Sequence, residues 1–293
     1  MGYRNLANTH ELLLYNEGMV YSAEIHLTSV EVKCSPGWPD QFPYRLPIWK
    51  SLGKREFHAP VTFLVGENGC GKSTLLEAIA CAAGSITVGS VSAYEDPTLK
   101  IVREFSNALK CTWSKKTNRG FYMRSEDFFG YSRKMAQAQE ELQQNLEEVE
   151  RDYRGRSETA RQHARMPYQS ELSGIKSRYG DGLDTRSHGE SYLTLFQSRF
   201  VPSGLYLLDE PEAPLSPIRQ LTFLAMLKKM VEQKAQFLIA THSPILMAYP
   251  GAEIINMDGG DVRSVSFEEV EHVRVTRTFL ECPERYLRHL FEE

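Results

Sequence analysis

The sequence predicts an α/β fold: a parallel core sheet flanked by helices, with an antiparallel β element near the N-terminus and a helical lobe inserted in the middle. Three observations lead there. Short, nearly continuous apolar runs at 61–65, 205–208 and 236–240 suit strands buried on both faces. The second and third runs are separated by Ser216-Pro217, a capping serine before a proline at the first helical position, so a strand–helix–strand unit is expected. Between the first and second runs lies a long charged stretch with apolar residues at helical spacing.

Taken in order, the chain divides into an N-terminal extension (1–21), a first half of the core (22–119), a helical lobe (120–200), a second half of the core (201–260) and a C-terminal helical segment (261–293). Residues 22–32 alternate Ala23, Ile25 and Leu27 with Glu24, His26 and Thr28, the pattern of a half-buried strand. Residues 35–47, rich in proline and aromatics, predict a loop with an edge strand. From about 132 to 165 the chain is charged, and Met135, Leu142, Leu146, Val149 and Tyr153 recur at helical spacing until Gly155. That is too few heptads for a true coiled coil and predicts a helical insertion. The last thirty residues read as terminal helices.

Composition narrows the class. With 293 residues, 41% hydrophobic and 25% charged, the chain has ordinary globular make-up, and its formal charge of −4 supplies no global field for nucleic acid. Five scattered cysteines fit neither a disulfide framework nor a zinc site and point to a reducing cytoplasm. Leu12-Leu13-Leu14 is too short for a signal-peptide core, and no run approaches the roughly 20 apolar residues of a membrane span. Direct membrane insertion is not expected.

The most informative segment is Gly66-Glu67-Asn68-Gly69-Cys70-Gly71-Lys72-Ser73, followed by Thr74. It fits G-x-x-x-x-G-K-[ST], with a buried strand before it and a helix to about Ala83 after it, closed by Gly84. Glycines let the backbone wrap phosphate oxygens, and the helix N-terminus adds partial positive charge. Lys72 is expected to contact the β- and γ-phosphates of ATP, and the Ser73 hydroxyl to coordinate Mg2+. The run 205–208 ends in Asp209-Glu210: Asp209 is expected to hold the magnesium and Glu210 to polarise the attacking water. Glu212 reads as a second acid behind these or as a solvated loop charge, with the loop charge slightly favoured. Thr241-His242-Ser243 ends the next strand at the same sheet edge, where His242 can bond the γ-phosphate and sense its loss.

These pieces in this order resemble the ATP-binding-cassette ATPases. The family's signature turn, Leu-Ser-Gly-Gly-Gln, has its counterpart at Arg186-Ser187-His188-Gly189-Glu190, which keeps the serine and second glycine. The resemblance implies that Ser187, Gly189 and Glu190 contact ATP held by a second subunit, in a head-to-tail homodimer with two ATPs at its interface. Ala213-Pro214-Leu215-Ser216 resembles the D-loop that runs along it. Almost the whole chain from Ser22 onward also looks like a group of small bacterial AAA-family, SMC-like ATPases, marked by 63–69, 187–191, 207–213 and 240–244. That group is more similar to DNA-repair, chromosome-maintenance and phage-defence heads than to transporter subunits. It implies a DNA or effector-protein partner, the alternative being the nucleotide-binding subunit of a transporter.

Two family features lack clear counterparts. No glutamine stands between Lys72 and Gln137, so the Q-loop equivalent is expected at the junction 120–126, with Ser125 or Glu126 toward the metal. For adenine, Phe42, Tyr44 and Trp49 are candidates that core packing explains equally well. Basic clusters (Lys115, Lys116, Arg119, and Arg151, Arg154, Arg156, Arg161, Arg165) suit DNA or, with alternating acids such as Glu147 and Glu150, i,i+4 ion pairs on a solvated face.

Overall fold

The apolar runs that mark the sequence become the middle of a six-stranded sheet. In the computed structural model, which describes residues 24–35, 37–88, 96–179 and 188–291, Val61–Val65 (β3) is buried along its whole length. It lies between Gln236–Ala240 (β7) and Glu253–Asn256 (β8), parallel to both. Leu205–Asp209 (β6) continues the parallel set beside β7, and Gly120–Arg124 (β5) closes that side. Arg263–Val265 (β9) adds an antiparallel edge to β8, giving the order β5-β6-β7-β3-β8-β9. Because β3, β5, β6, β7 and β8 all run the same way, their carboxyl ends meet at one edge. In open parallel sheets that edge is where ligands bind.

Alternation sorts the side chains between two cores. Leu205, Leu207, Leu64 and Leu238 face Lys72–Ala83 (α2) and a second, antiparallel sheet. That sheet has the order Lys54–Glu56 (β2), Leu27–Val32 (β1), Leu109–Trp113 (β4). Ile48–Leu52 (α1) and Lys100–Ser106 (α3) pack into the same core. Tyr206, Leu208, Phe63 and Ile239 face the opposite way, toward His188–Arg199 (α6) and Pro217–Glu232 (α7). There Phe196 makes ring contacts with Tyr192, Phe200 and Phe223 at 4.7, 5.0 and 4.9 Å. Each fully buried side chain of this kind contributes about 1.5–3 kcal/mol.

Two expectations change. The edge strand anticipated within 35–47 forms instead at Lys54–Glu56, because Pro39, Pro43 and Pro47 remove backbone donors that a ladder would need. The helical insertion is longer than 132–165: Ser125–Asp152 (α4) runs out and Glu158–Tyr179 (α5) returns. Gly155, at φ 93°, belongs to the turn between them. Glu150 bonds Arg165 across this hairpin at 2.6 Å and lies 3.7 Å from Arg161, in place of the i,i+4 partner Arg154. Phe128 and Tyr131 root α4 in the core. After β7 come Pro244–Met247 (α8), Glu271–Glu281 (α9) and Pro283–Phe291 (α10). Among the described residues no helix is long and apolar enough to cross a membrane.

Candidate functional site

The loop between β3 and α2 supplies a cradle. Gly66, Gly69 and Gly71 take φ values of 143°, 83° and 107°, a backbone course that side chains resist. A Cβ on Gly66 would stand 2.7 Å from Asp258 Oδ1. Asp258, just beyond β8, accepts the Glu67 backbone N–H and so fixes the start of the loop. Glu67, Asn68 and Gly69 form an exposed tip. Lys72 is buried to 5% exposure and donates from Nζ to the carbonyls of Gly66 (2.6 Å) and Glu67 (2.9 Å). The Cys70 thiol lies 3.9 Å from that amine, and burial pushes its pKa up. Thr74 is buried beneath the first turn, while Ser73 remains exposed at its surface.

The carboxyl end of β6 meets this turn. The Ser73 hydroxyl hydrogen-bonds the Asp209 carboxylate, whose pKa burial pushes up to about 6; the Glu210 charge adds to the rise, while Ser73 and Lys72 oppose it. Asp209 Oδ1 is buried with no protein hydrogen-bond partner. A buried carboxylate oxygen left free beside a serine hydroxyl is a donor set suited to a hard cation that keeps most of its waters and takes phosphate oxygens, as magnesium does. Glu210 holds φ 49°, a costly left-handed conformation for a non-glycine residue, and its N–H donates to the Ala240 carbonyl at 2.9 Å. The turn that carries Glu210 is therefore tied directly to β7.

His242 follows β7. Its Nε2 stands 3.7 Å from Glu210 Oε1, and its Nδ1 is 3.0 Å from Nε2 of His272 on α9. Its pKa is lowered by burial first, then by the charge of Lys72 and by His272. Glu212 corrects the reading of a solvated loop charge. It is mostly buried, burial pushes its pKa up, and Oε1 accepts the His242 backbone N–H at 2.7 Å. Glu212 thus fastens the histidine turn to the loop after β6.

The β5–α4 junction is occupied by Arg124, whose Cα is registered opposite Asp209. Its guanidinium bonds both oxygens of Asp127 (3.1 and 3.0 Å) and lies 3.6 Å from Glu77 and 3.8 Å from Asp96. Ser125 only opens the helix, and the Glu126 side chain is 75% exposed. Glu77, one helical turn beyond Ser73, is 15% exposed, and burial pushes its pKa up to about 7 against the pull of Arg124. A carboxyl raised this way stabilises the fold fully below its unfolded value of 4.5 and loses that contribution as pH rises through about 7. The stability of a Glu77→Gln variant relative to wild type should therefore improve by about 2–3 kcal/mol between pH 5 and pH 8. Urea unfolding of nucleotide-free protein at both pH values checks this; parallel pH profiles would remove the buried charge from the account.

At the start of α6, Gly189 packs so closely that a Cβ would meet Arg219 Cδ at 2.8 Å and the Pro214 carbonyl oxygen at 3.0 Å. Glu190 Oε1 bonds Arg219 Nη2 at 2.9 Å. Gly189 and Glu190, in the first turn of α6, therefore rest on Pro214 and Arg219 of their own chain. Ser187 lies outside the described residues. Of the adenine candidates, Trp49 is a core residue, 2% exposed and donating to the Pro43 carbonyl at 2.7 Å. Tyr44 packs edge-on to Trp38 and Phe105, and Phe42 alone is largely exposed.

Sequence reasoning missed Asp258, His272 and the group around Arg124. None carries a local motif; Asp258 was traceable only as a carboxylate just past a strand ending at the same edge.

Residues 53–178, from β2 through most of α5, match the protein-family model of an AAA domain. That stretch contains the 66–74 cradle between β3 and α2. No curated protein matches this chain. Among solved structures, it is similar to an Smc head domain with an extended coiled coil bound to the C-terminal domain of ScpA, from Pyrococcus furiosus. That match has 13% identity and a TM-score of 0.45, covering 88% of this chain and all of that one. It is also similar to cbiO1 of Clostridium perfringens, part of the ABC transporter complex cbiONQ, with 17% identity and a TM-score of 0.44, covering 92% and 100%. A nucleotide-free ATP-binding cassette from an ABC transporter matches at 16% identity and a TM-score of 0.44, covering 89% and 99%.

Proposed function

We propose that this chain binds ATP with Mg2+ in the 66–74 cradle, hydrolyses it, and works in the cytoplasm as a head-to-tail dimerising switch coupled to DNA or to an effector protein. The observation that carries this reading is the convergence of Lys72, Ser73, Asp209, Glu210 and His242 at one sheet edge. Three buried polar atoms there, Asp209 Oδ1, Glu212 Oε2 and His242 Nε2, have no protein hydrogen-bond partner. Buried polar groups without partners are rare and mark places where a ligand completes the bonding.

In this reading Lys72 turns from the loop carbonyls to the β- and γ-phosphates. Ser73 and Asp209 hold the magnesium, which supplies charge neutralisation on the γ-phosphate when bound. Glu210 orients the attacking water and accepts its proton. His242 Nε2 meets the γ-phosphate. The turn at 187–190 of the partner subunit covers that phosphate from the other side.

DNA coupling draws support from the hairpin tip. Arg161 and Arg165 are paired with Glu150, whereas Arg151, Arg154 and Arg156 stand exposed around the turn. A helix of 28 residues is about 40 Å long, so these charges lie far from the nucleotide. Arg124, in place of a Q-loop glutamine, favours the switch over a transporter subunit, since its guanidinium is committed to Asp127 and Glu77.

The test is phosphate release by purified protein with and without linear duplex DNA, at two salt concentrations, beside Arg154→Glu/Arg156→Glu. Salt-sensitive stimulation that the double variant lacks supports DNA coupling. A DNA-insensitive rate assigns the output to a protein partner, and no ATP turnover in either condition overturns the reading.

A further inference from the structure

The histidine pair beside Glu210 has a proton arrangement that the surroundings determine. A neutral imidazole has one donor and one acceptor nitrogen, so the bond at Nδ1 and the proton at Nε2 cannot be chosen separately. His242 Nε2 faces the Glu210 carboxylate at 3.7 Å. With Nε2 bare, its lone pair would face carboxylate oxygen; with Nε2 protonated, an N–H faces an acceptor. The proton therefore belongs on Nε2, which leaves Nδ1 as an acceptor. The group 3.0 Å from Nδ1 is His272 Nε2, and it must be the donor.

We infer that His272 is a positioning residue for His242: by donating Nε2–H to His242 Nδ1, it holds the switch imidazole in the tautomer that directs an N–H into the phosphate site. The inference rests on the nucleotide reading of this site. His272 is fixed for the task by its place on α9. Val270 and Val273 on either side are buried to 3% exposure, and Ser266 and Glu269 form a capping box on the short turn Phe267–Glu269 that leads into the helix. The two rings meet edge to face, with centroids 4.8 Å apart. Lys72, His272, Glu210 and Glu67 are the charged or titratable groups acting on His242, and the net direction keeps its imidazole neutral near pH 7.

A bare Nε2 would repel a phosphate oxygen, whereas an N–H donates to it. The tautomer thus decides whether His242 can read the γ-phosphate at all, and α9 becomes part of the sensor.

The test uses the full chain labelled with 15N-histidine, without nucleotide, at pH 8. Long-range proton–nitrogen correlation is expected to show His242 with a bare Nδ1 and a protonated Nε2. In steady-state assays His272→Phe should lower kcat about tenfold, the loss of roughly one well-made hydrogen bond, with KM for ATP within about twofold. His272→Gln, whose amide can still donate, should recover most of the rate. A proton on Nδ1 in the wild-type protein overturns the inference, as does an unchanged kcat in His272→Phe or a Gln variant no better than Phe. The resonance measurement needs no turnover, so it separates failure of this inference from failure of the nucleotide site, which an active Lys72→Ala variant would reveal.

Discussion

A Glu210→Gln variant is expected to lose ATP turnover by about 10²–10⁴-fold, the usual worth of a positioned general base, while still binding ATP. The substitution keeps the shape of the side chain and the backbone bond from residue 210 to the Ala240 carbonyl, so the strained turn survives. It removes the carboxylate that stands 3.7 Å from His242 Nε2. It also removes a negative charge that pushes the Asp209 pKa up, so affinity for magnesium should hold or improve. Binding without turnover leaves the γ-phosphate in place, and the protein should accumulate as an ATP-bound dimer. Single-turnover hydrolysis and light scattering at saturating ATP check the two halves separately. Turnover within fivefold of wild type would take Glu210 out of the chemistry. A stalled monomer would leave the chemistry standing and remove the sandwich.

How much of this was legible in the sequence follows from the range of the interactions. The 66–73 loop, the Asp209-Glu210 pair and the start of α7 at Ser216-Pro217 were legible because each is written within ten consecutive residues, although the Ser216 side chain makes no capping bond. The parallel register that brings Asp209 opposite both Arg124 and Ala240 was implied only by strand order. Glu212 was misread because nothing local distinguishes a buried acid from a solvated one; its partner is the backbone of His242, thirty residues away. His272 and Asp258 are invisible for the same reason, since a helix from the C-terminal segment and a turn after β8 deliver them. The hairpin was half-legible. Its outgoing stripe has a clear period, but α5 carries Pro167 and few apolar residues, and its pairing through Glu150 is tertiary. The N-terminal strand runs over Leu27–Val32 instead of 22–32, and His26, on the side read as polar, is buried to 1% exposure; Ala23 lies outside the described residues. The prolines that displaced the edge strand were in plain view.

Lys72→Ala should abolish measurable ATP turnover and lower ATP affinity by about 10³-fold, as expected when a buried charge-assisted contact to phosphate is removed. In the nucleotide-free protein the amine is already desolvated and held by two loop carbonyls, so exchanging those for phosphate oxygens costs little further desolvation. The preorganisation is what makes the loss large. Alanine also withdraws a positive charge that lowers the His242 pKa and opposes the rise at Asp209, so both groups should move upward in the variant. Lys72→Arg is no remedy, because a guanidinium fork does not fit between carbonyls arranged for a point charge at 2.6 and 2.9 Å. Nucleotide titration, phosphate release and the histidine resonance together identify the cause of a failure. Lost turnover with an upward-shifted His242 and an intact unfolding transition places Lys72 where the phosphates lie. Turnover undiminished in pure Lys72→Ala protein would put the nucleotide somewhere else, and with it the roles assigned to Ser73, Asp209 and Glu210.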